Sequence, residues 1–257
     1  MLDGQKNKMT KIDEETFLAD NPIIQKISPD DADYPPQIHI LAPKKILKPL
    51  YHIGEPVPFF GGISVVGTRK CSESGKQFAE EVGSILADNS IVVISGLARG
   101  IDSYAHKGCV ENDGVSIAVL AWIHKLYPPE HKPLLDKILE NGCAVSETLF
   151  MPESFSQSQF LKRDEVMAMI SDVIIVVESK SKGGAKYTAD FAMKKNISVI
   201  KCKTETDDHE LIEGHKTFLA NGAREATSPE HVIELISELK EKKEIKIKNN
   251  LDDFIEF

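Results

Sequence analysis

Two arginines set in glycine-rich turns supply the first chemistry in this sequence. Arg69 lies in ISVVGTRKCSESG (63–75) and Arg99 in IVVISGLARGID (91–102). Each stretch reads as a buried strand, a turn and the start of a helix. A helix start presents unpaired N–H groups and the positive end of a dipole to any nearby anion. With Gly67, Thr68 and Arg69 in one turn and Ser95, Gly96, Arg99 and Gly100 in the other, the pattern predicts a phosphate-binding ledge. Arg69 has a second reading, a salt bridge that holds its turn shut, and Arg99 has one too, an ion pair with Asp102. Gly96 and Gly100 supply backbone freedom or close packing whether or not a ligand binds.

Other residues join this ledge as candidates. Arg163 sits at a helix start that can face the same crevice, although Asp164 and Glu165 beside it allow a structural ion pair instead. Lys180, Lys182 and Lys186 surround the Gly183-Gly184 turn after the apolar run VIIVV, where they either follow a nucleic-acid backbone or extend into solvent. Asp102 and His106, four apart, share a helix face. Without a nucleophile in the pattern, they read as a loop-fixing couple rather than an acid–base pair. Trp122 can stack on a base or fill the core, and Lys44, Lys45 and Lys48 read as a solvated face. No catalytic residue, metal ligand or cofactor is expected.

The elements that must carry these residues are legible from Gly62 onward. Short Val/Ile-rich runs at 63–66, 91–94, 116–121, 143–146, 173–177 and 197–200 have the composition of buried parallel strands. Helical patterns separate them. Phe78, Val82, Ile85 and Leu86 line one face, with Ser74 and Gln77 at capping-box spacing. Leu134, Leu135, Ile138 and Leu139 line another, with Gly142 at its C′ position. Two more helices are predicted at 209–220 and 229–240, the second opened by Ser228 and Pro229. The alternation predicts an α/β fold: a doubly wound, mostly parallel sheet with ligands beyond the carboxyl ends of its strands.

Around that domain (61–240) the sequence predicts a loosely held polar extension at 1–30, a proline-rich lead-in at 31–60 packed on the main domain, and a charged tail at 241–257. The four cysteines are widely spaced, which favours reduced thiols in a cytoplasmic protein. No apolar run reaches the roughly 20 residues of a membrane helix, and the start lacks a signal-peptide core. A net charge of −9 argues against a generic nucleic-acid coat protein. A local basic groove remains compatible with it, because screening confines fields to about 8 Å at physiological salt.

Read in order, the segments resemble the DprA/Smf family. The resemblance rests on Tyr34-Pro35, Leu50-Tyr51-x-x-Gly54, VVGTR (65–69), Ser72, Gly75 and, above all, SGLARGIDSYAH (95–106). It continues through Ala118-Val119-Leu120, Tyr127-Pro128, Ser146-Glu147, Phe160, Arg163, Ser171, Val177-Glu178, Gly184, Thr188-Ala189 and the stretch 218–236. What it implies is an extended Rossmann-like fold and a non-catalytic partner of single-stranded DNA that protects the strand. It further implies delivery of the strand to a RecA-type recombinase during DNA recombination and natural transformation (competence), a homodimer, and links to single-strand-binding protein pathways. The family's Arg-Asn-Arg is Arg163-Asp164-Glu165 here, so that a phosphate contact becomes repulsive. Its Ser-Gly-Ser turn is Gly183-Gly184-Ala185, the turn 121–128 is one residue shorter, Lys201-Cys202-Lys203 replaces Pro-Gly, and a winged helix after residue 240 is not expected. The tip LDDFIEF looks like the acidic, aromatic-ended tails of single-strand-binding proteins, with a disordered tail as the other reading.

Two other classes of function are compatible with the turns. One is a sensor of a nucleotide-derived ligand in the same crevice. The other is a phosphoribohydrolase-like enzyme, disfavoured because SKGGAKYTAD lacks the proline and the Gly-Thr of that group's phosphate turn.

Overall fold

The computed structural model describes residues 13–42, 47–55, 61–154 and 156–255, with side chains as far as 242. The strands are β1 (Gln25–Ile27), β2 (Leu50–Gly54), β3 (Gly62–Val66), β4 (Val93–Ser95), β5 (Ser116–Val119), β6 (Cys143–Ser146), β7 (Ser171–Val176), β8 (Ser198–Cys202) and β9 (Arg224–Ala226). They form one sheet in the order β1-β2-β6-β5-β4-β3-β7-β8-β9. The six runs expected from composition make its parallel centre, and β9 extends it in parallel beside β8.

Helices cover both faces: α1 (Glu14–Asp20), α2 (Pro36–Leu41), α3 (Glu73–Asp88), α4 (Ile101–Val110), α5 (Lys132–Asn141), α6 (Gln157–Met169), α7 (Gly184–Lys194), α8 (His209–Ala220) and α9 (Pro229–Ile255). Alternate strand residues feed opposite cores, as the two-residue period requires. Ile63, Val65, Val173 and Ile175 pack with Val82 and Leu86 of α3, Ala105 of α4 and Leu235 of α9. Val66, Ile174 and Val176 pack on the other face with Met167 of α6, Ala189 of α7 and Phe218 of α8. On the first face α3 and α4 approach backbone to backbone. A Cβ on Gly83 would overlap the Ala105 carbonyl, and one on Gly108 the Glu80 carbonyl.

Three expectations change. The segment 1–30 is not loose throughout: Asp13 caps α1, and β1 pairs antiparallel with β2. The lead-in contributes more than packing, since β2 itself pairs antiparallel with β6 and extends the sheet. Proline density excludes a long helix there but leaves room for a five-residue strand, with Leu50 and Tyr51 buried. The helix expected at 229–240 runs on to Ile255.

Two caps also differ. Ser72, not Ser74, is the N-cap of α3, accepting the Gly75 amide at 2.9 Å. Gly142 follows α5 with extended backbone (φ −143°) rather than a left-handed turn.

Candidate nucleic-acid interface

Strand order fixes where a ligand meets the sheet. From β3 the chain winds outward to β4, β5 and β6, then returns through α6 to β7 on the opposite side of β3. The carboxyl ends of β3 and β7 therefore flank the switch point, where doubly wound sheets open a crevice. A cleft of about 520 Å³ lies there, lined by Gly67, Thr68 and Arg69 after β3 and by Ser179, Lys180, Lys182, Gly183 and Gly184 after β7. Phe160, Arg163 and Asp164 of α6 face it, as do Asp102 and Tyr127.

The arginines differ in what they meet. Arg69 is exposed, with its guanidinium carbon 5.3 Å from the centre of the Phe160 ring, a cation–π arrangement. Arg163 is buried on the floor of the cleft, its Nε 3.0 Å from Asp164 and its Nη1 3.7 Å from Asp102. A Cβ on Gly96 would overlap Arg163 Nη1, so glycine there makes room for the guanidinium. Arg99 turns into an adjoining groove, where its Nε donates to Glu130 at 2.6 Å.

The floor is a mixed electrostatic site. Burial raises the pKa of Asp102, opposed first by Arg163 and then by the Ala98 amide. Burial likewise raises Asp164 to about 6, with Asp102 acting in the same direction and Arg163 and Arg69 against it. His106 is fully buried and bonded through Nδ1 to Ser116 Oγ at 2.7 Å; burial lowers its pKa to about 3, so the ring is neutral. Asp102 and His106 thus serve different neighbours and form no couple.

Of the residues predicted for the ledge, Gly67, Thr68, Arg69, Arg163, Lys180, Lys182 and Gly184 come together around the cleft, joined by Asp102. Gly96 and Arg99 line the adjoining groove. Ser95 belongs inside the sheet, its hydroxyl donating to the Val65 carbonyl at 2.6 Å. Gly100 is the N-cap of α4, at φ +78° against the Arg69 backbone. Lys186 points away from the cleft to Asp190 (2.6 Å) and the Phe218 ring. Lys180 lines the lip but is paired with Glu210. Among the described residues Arg69 and Lys182 face the cleft without an ion-pair partner.

Other expectations are corrected in the same way. Glu165 does not line the cleft, its carboxylate being turned to Tyr187, whose hydroxyl it accepts at 2.6 Å; of the two neighbouring acids, the one that lines the cleft is Asp164. Trp122 is only 1% exposed and backs the aromatic wall, 5.7 Å from the Phe160 ring. Lys48 lies on the surface near Glu147, whereas Lys44 and Lys45 fall outside the described residues, as do the side chains of the LDDFIEF tip. Phe160 carries the wall although its residue type alone did not single it out. Its i, i+3 spacing from Arg163 on α6 was the signal that places both on one face.

A parallel α/β domain with an arginine- and aromatic-lined cleft at its switch point is the class these features define. Over residues 25–237 the chain matches the family described as DNA recombination-mediator protein A, and it belongs to that DprA/Smf family of DNA-processing proteins. It is 31% identical to protein Smf of Synechocystis sp. over 233 residues, 86% of this chain and 56% of that one. It is 32% identical to DNA processing protein DprA of Streptococcus pneumoniae over 176 residues, 68% of this chain and 61% of the other. The chain thus spans a little over half the length of these relatives.

The X-ray structure of Streptococcus pneumoniae DprA superposes with a TM-score of 0.74 at 26% identity, covering 86% of this chain and 77% of that one. DNA processing protein A of Helicobacter pylori, described for its single-stranded DNA binding mode, shares the fold at a TM-score of 0.71 and 23% identity, covering 84% and 96%. Among the described residues no helix is long and apolar enough to cross a membrane.

Proposed function

We propose that this chain binds single-stranded DNA in the cleft at the β3/β7 switch point, without turnover. The observation that carries the reading is the pairing of an exposed Arg69, stacked on Phe160, with Lys182 on the opposite lip. A cation beside an aromatic face suits an unpaired strand, because phosphate and base are engaged together and stacking tolerates any sequence. Binding without turnover is supported by the state of the two acid–base candidates. His106 is neutral and held by Ser116, and Asp102 is committed to Arg163.

Family membership supports the wider role: protection of single strands, their delivery to a RecA-type recombinase in recombination and natural transformation, and action as a cytoplasmic homodimer. The test is fluorescence anisotropy with a labelled oligothymidylate across a salt series. Each phosphate neutralised contributes about 0.7 to the slope of log affinity against log salt. Arg69→Ala and Lys182→Ala are expected to weaken binding and lower that slope, whereas Lys186→Ala leaves both unchanged. An unmodified chain that shows no binding at low salt, or equal affinity for all three variants, refutes the reading.

A further inference from the structure

Glu178 lies two residues past the end of β7, is 1% exposed and does not line the cleft, yet it holds the arginine turn from both ends. Its backbone carbonyl accepts the Thr68 amide at 2.7 Å, just ahead of Arg69. Its carboxylate accepts the Ser72 amide at 2.8 Å and the Ser72 hydroxyl at 2.6 Å, three residues beyond Arg69. Ser72 in turn caps α3. Gly75, in the first turn of that helix, has no room for a Cβ, because one would overlap this same carboxylate. The strand behind is fixed too: the Val177 amide donates to Val66 at 3.1 Å, and the buried Lys201 ammonium donates to the Val177 carbonyl at 2.6 Å.

A carboxylate taken out of water is costly unless its oxygens are matched by donors. Here the match is made at a helix N-terminus, the place where the sequence pattern predicts a ligand phosphate. We propose that Glu178 is a positioning residue of the DNA cleft: a built-in anion that occupies the N-terminus of α3 and fixes turn 67–72 so that Arg69 faces Phe160. This rests on the reading of the cleft as a DNA site. It makes Arg69, rather than the helix amides, the group that meets phosphate on this bank.

A double-mutant cycle separates positioning from general stability. Glu178→Gln keeps the side chain's shape but sets an amide donor against Ser72, and it is expected to weaken oligothymidylate binding about tenfold. In an Arg69→Ala background the same substitution should leave affinity unchanged, while any loss of melting temperature persists in both. Ser72→Ala removes the hydroxyl contact to Glu178 and, with it, the cap on the Gly75 amide; its loss of stability should appear in both backgrounds, whereas its smaller loss of binding should appear only when Arg69 is present, and it serves if Glu178→Gln does not fold. Equal loss in both backgrounds, or no loss with either substitution, overturns the inference alone. An Arg69→Ala chain that binds as the unmodified one does overturns the cleft reading, and this inference with it.

Discussion

Replacing Asp164 by Asn removes a charge from the floor of the cleft while keeping the shape of the side chain. Asp164 is 6% exposed, and its pKa rises from 3.8 to about 6, chiefly through burial. A rise of about 2 units, at about 1.4 kcal/mol each, means that the ionised carboxylate costs about 3 kcal/mol more in the fold than in the unfolded chain. Because the folded pKa lies above the unfolded one, the group's favourable contribution is complete below about pH 4 and is lost as pH rises through about 6. The neutral amide avoids that cost, which is already net of the attraction of Arg163. The net gain expected for Asp164→Asn at pH 8 is about 1–3 kcal/mol, or roughly 3–8 °C in melting temperature for a chain of this size.

The same substitution should tighten DNA binding. A unit charge roughly 7 Å from a phosphate, at an effective dielectric of about 20 and with salt screening, amounts to about 1 kcal/mol, or about fivefold in affinity. That advantage should shrink toward pH 5, where the unmodified carboxyl is itself protonated. Melting curves at pH 4 and pH 8, with anisotropy titrations at pH 5 and pH 8, read both effects. A variant no more stable at pH 8, or one whose gain is equally large at pH 4, would refute the electrostatic reasoning.

Gly96→Ala drives a methyl group into Arg163 Nη1 and should destabilise the fold by roughly 2–4 kcal/mol in urea unfolding; a neutral result would mean that the guanidinium is not packed there. Phe160→Ala should cost about 1–3 kcal/mol of DNA affinity with the salt slope unchanged, since stacking releases no counterions. A slope that falls with Phe160→Ala would show that the ring acts only by holding Arg69. Lys180→Ala should change affinity less than Lys182→Ala, because Lys180 already has Glu210 as its partner; titration of the two variants side by side decides it.

The central strands were legible because Val and Ile runs such as Val173–Val177 are apolar on both faces. At the margins the signal was weaker. Leu50–Gly54 lies among prolines, and Arg224–Ala226 is short and polar, so nothing local marks either as a strand. The helix cap passed from Ser74 to Ser72 because its partner, Glu178, lies more than a hundred residues away in the chain. The site shows the same division. Arg69 and Arg99 occupy similar turns, and only the distant Glu130 draws one of them aside. Asp164 and Glu165 are neighbours in sequence, yet Tyr187 of α7 takes the second and leaves the first in the cleft.

The glycine-to-carbonyl approach of α3 and α4 has a mechanical consequence. Two helices whose backbones touch cannot slide without collision, so they behave as one plate, and the turns bearing Arg69 and Arg99 ride on its rim. On the proposed reading, that bank is a fixed rail for the strand of DNA. The other bank is built differently: Lys182 and Gly183 stand on the loop between β7 and α7, with no helix-to-helix backbone contact of this kind beneath them among the described residues.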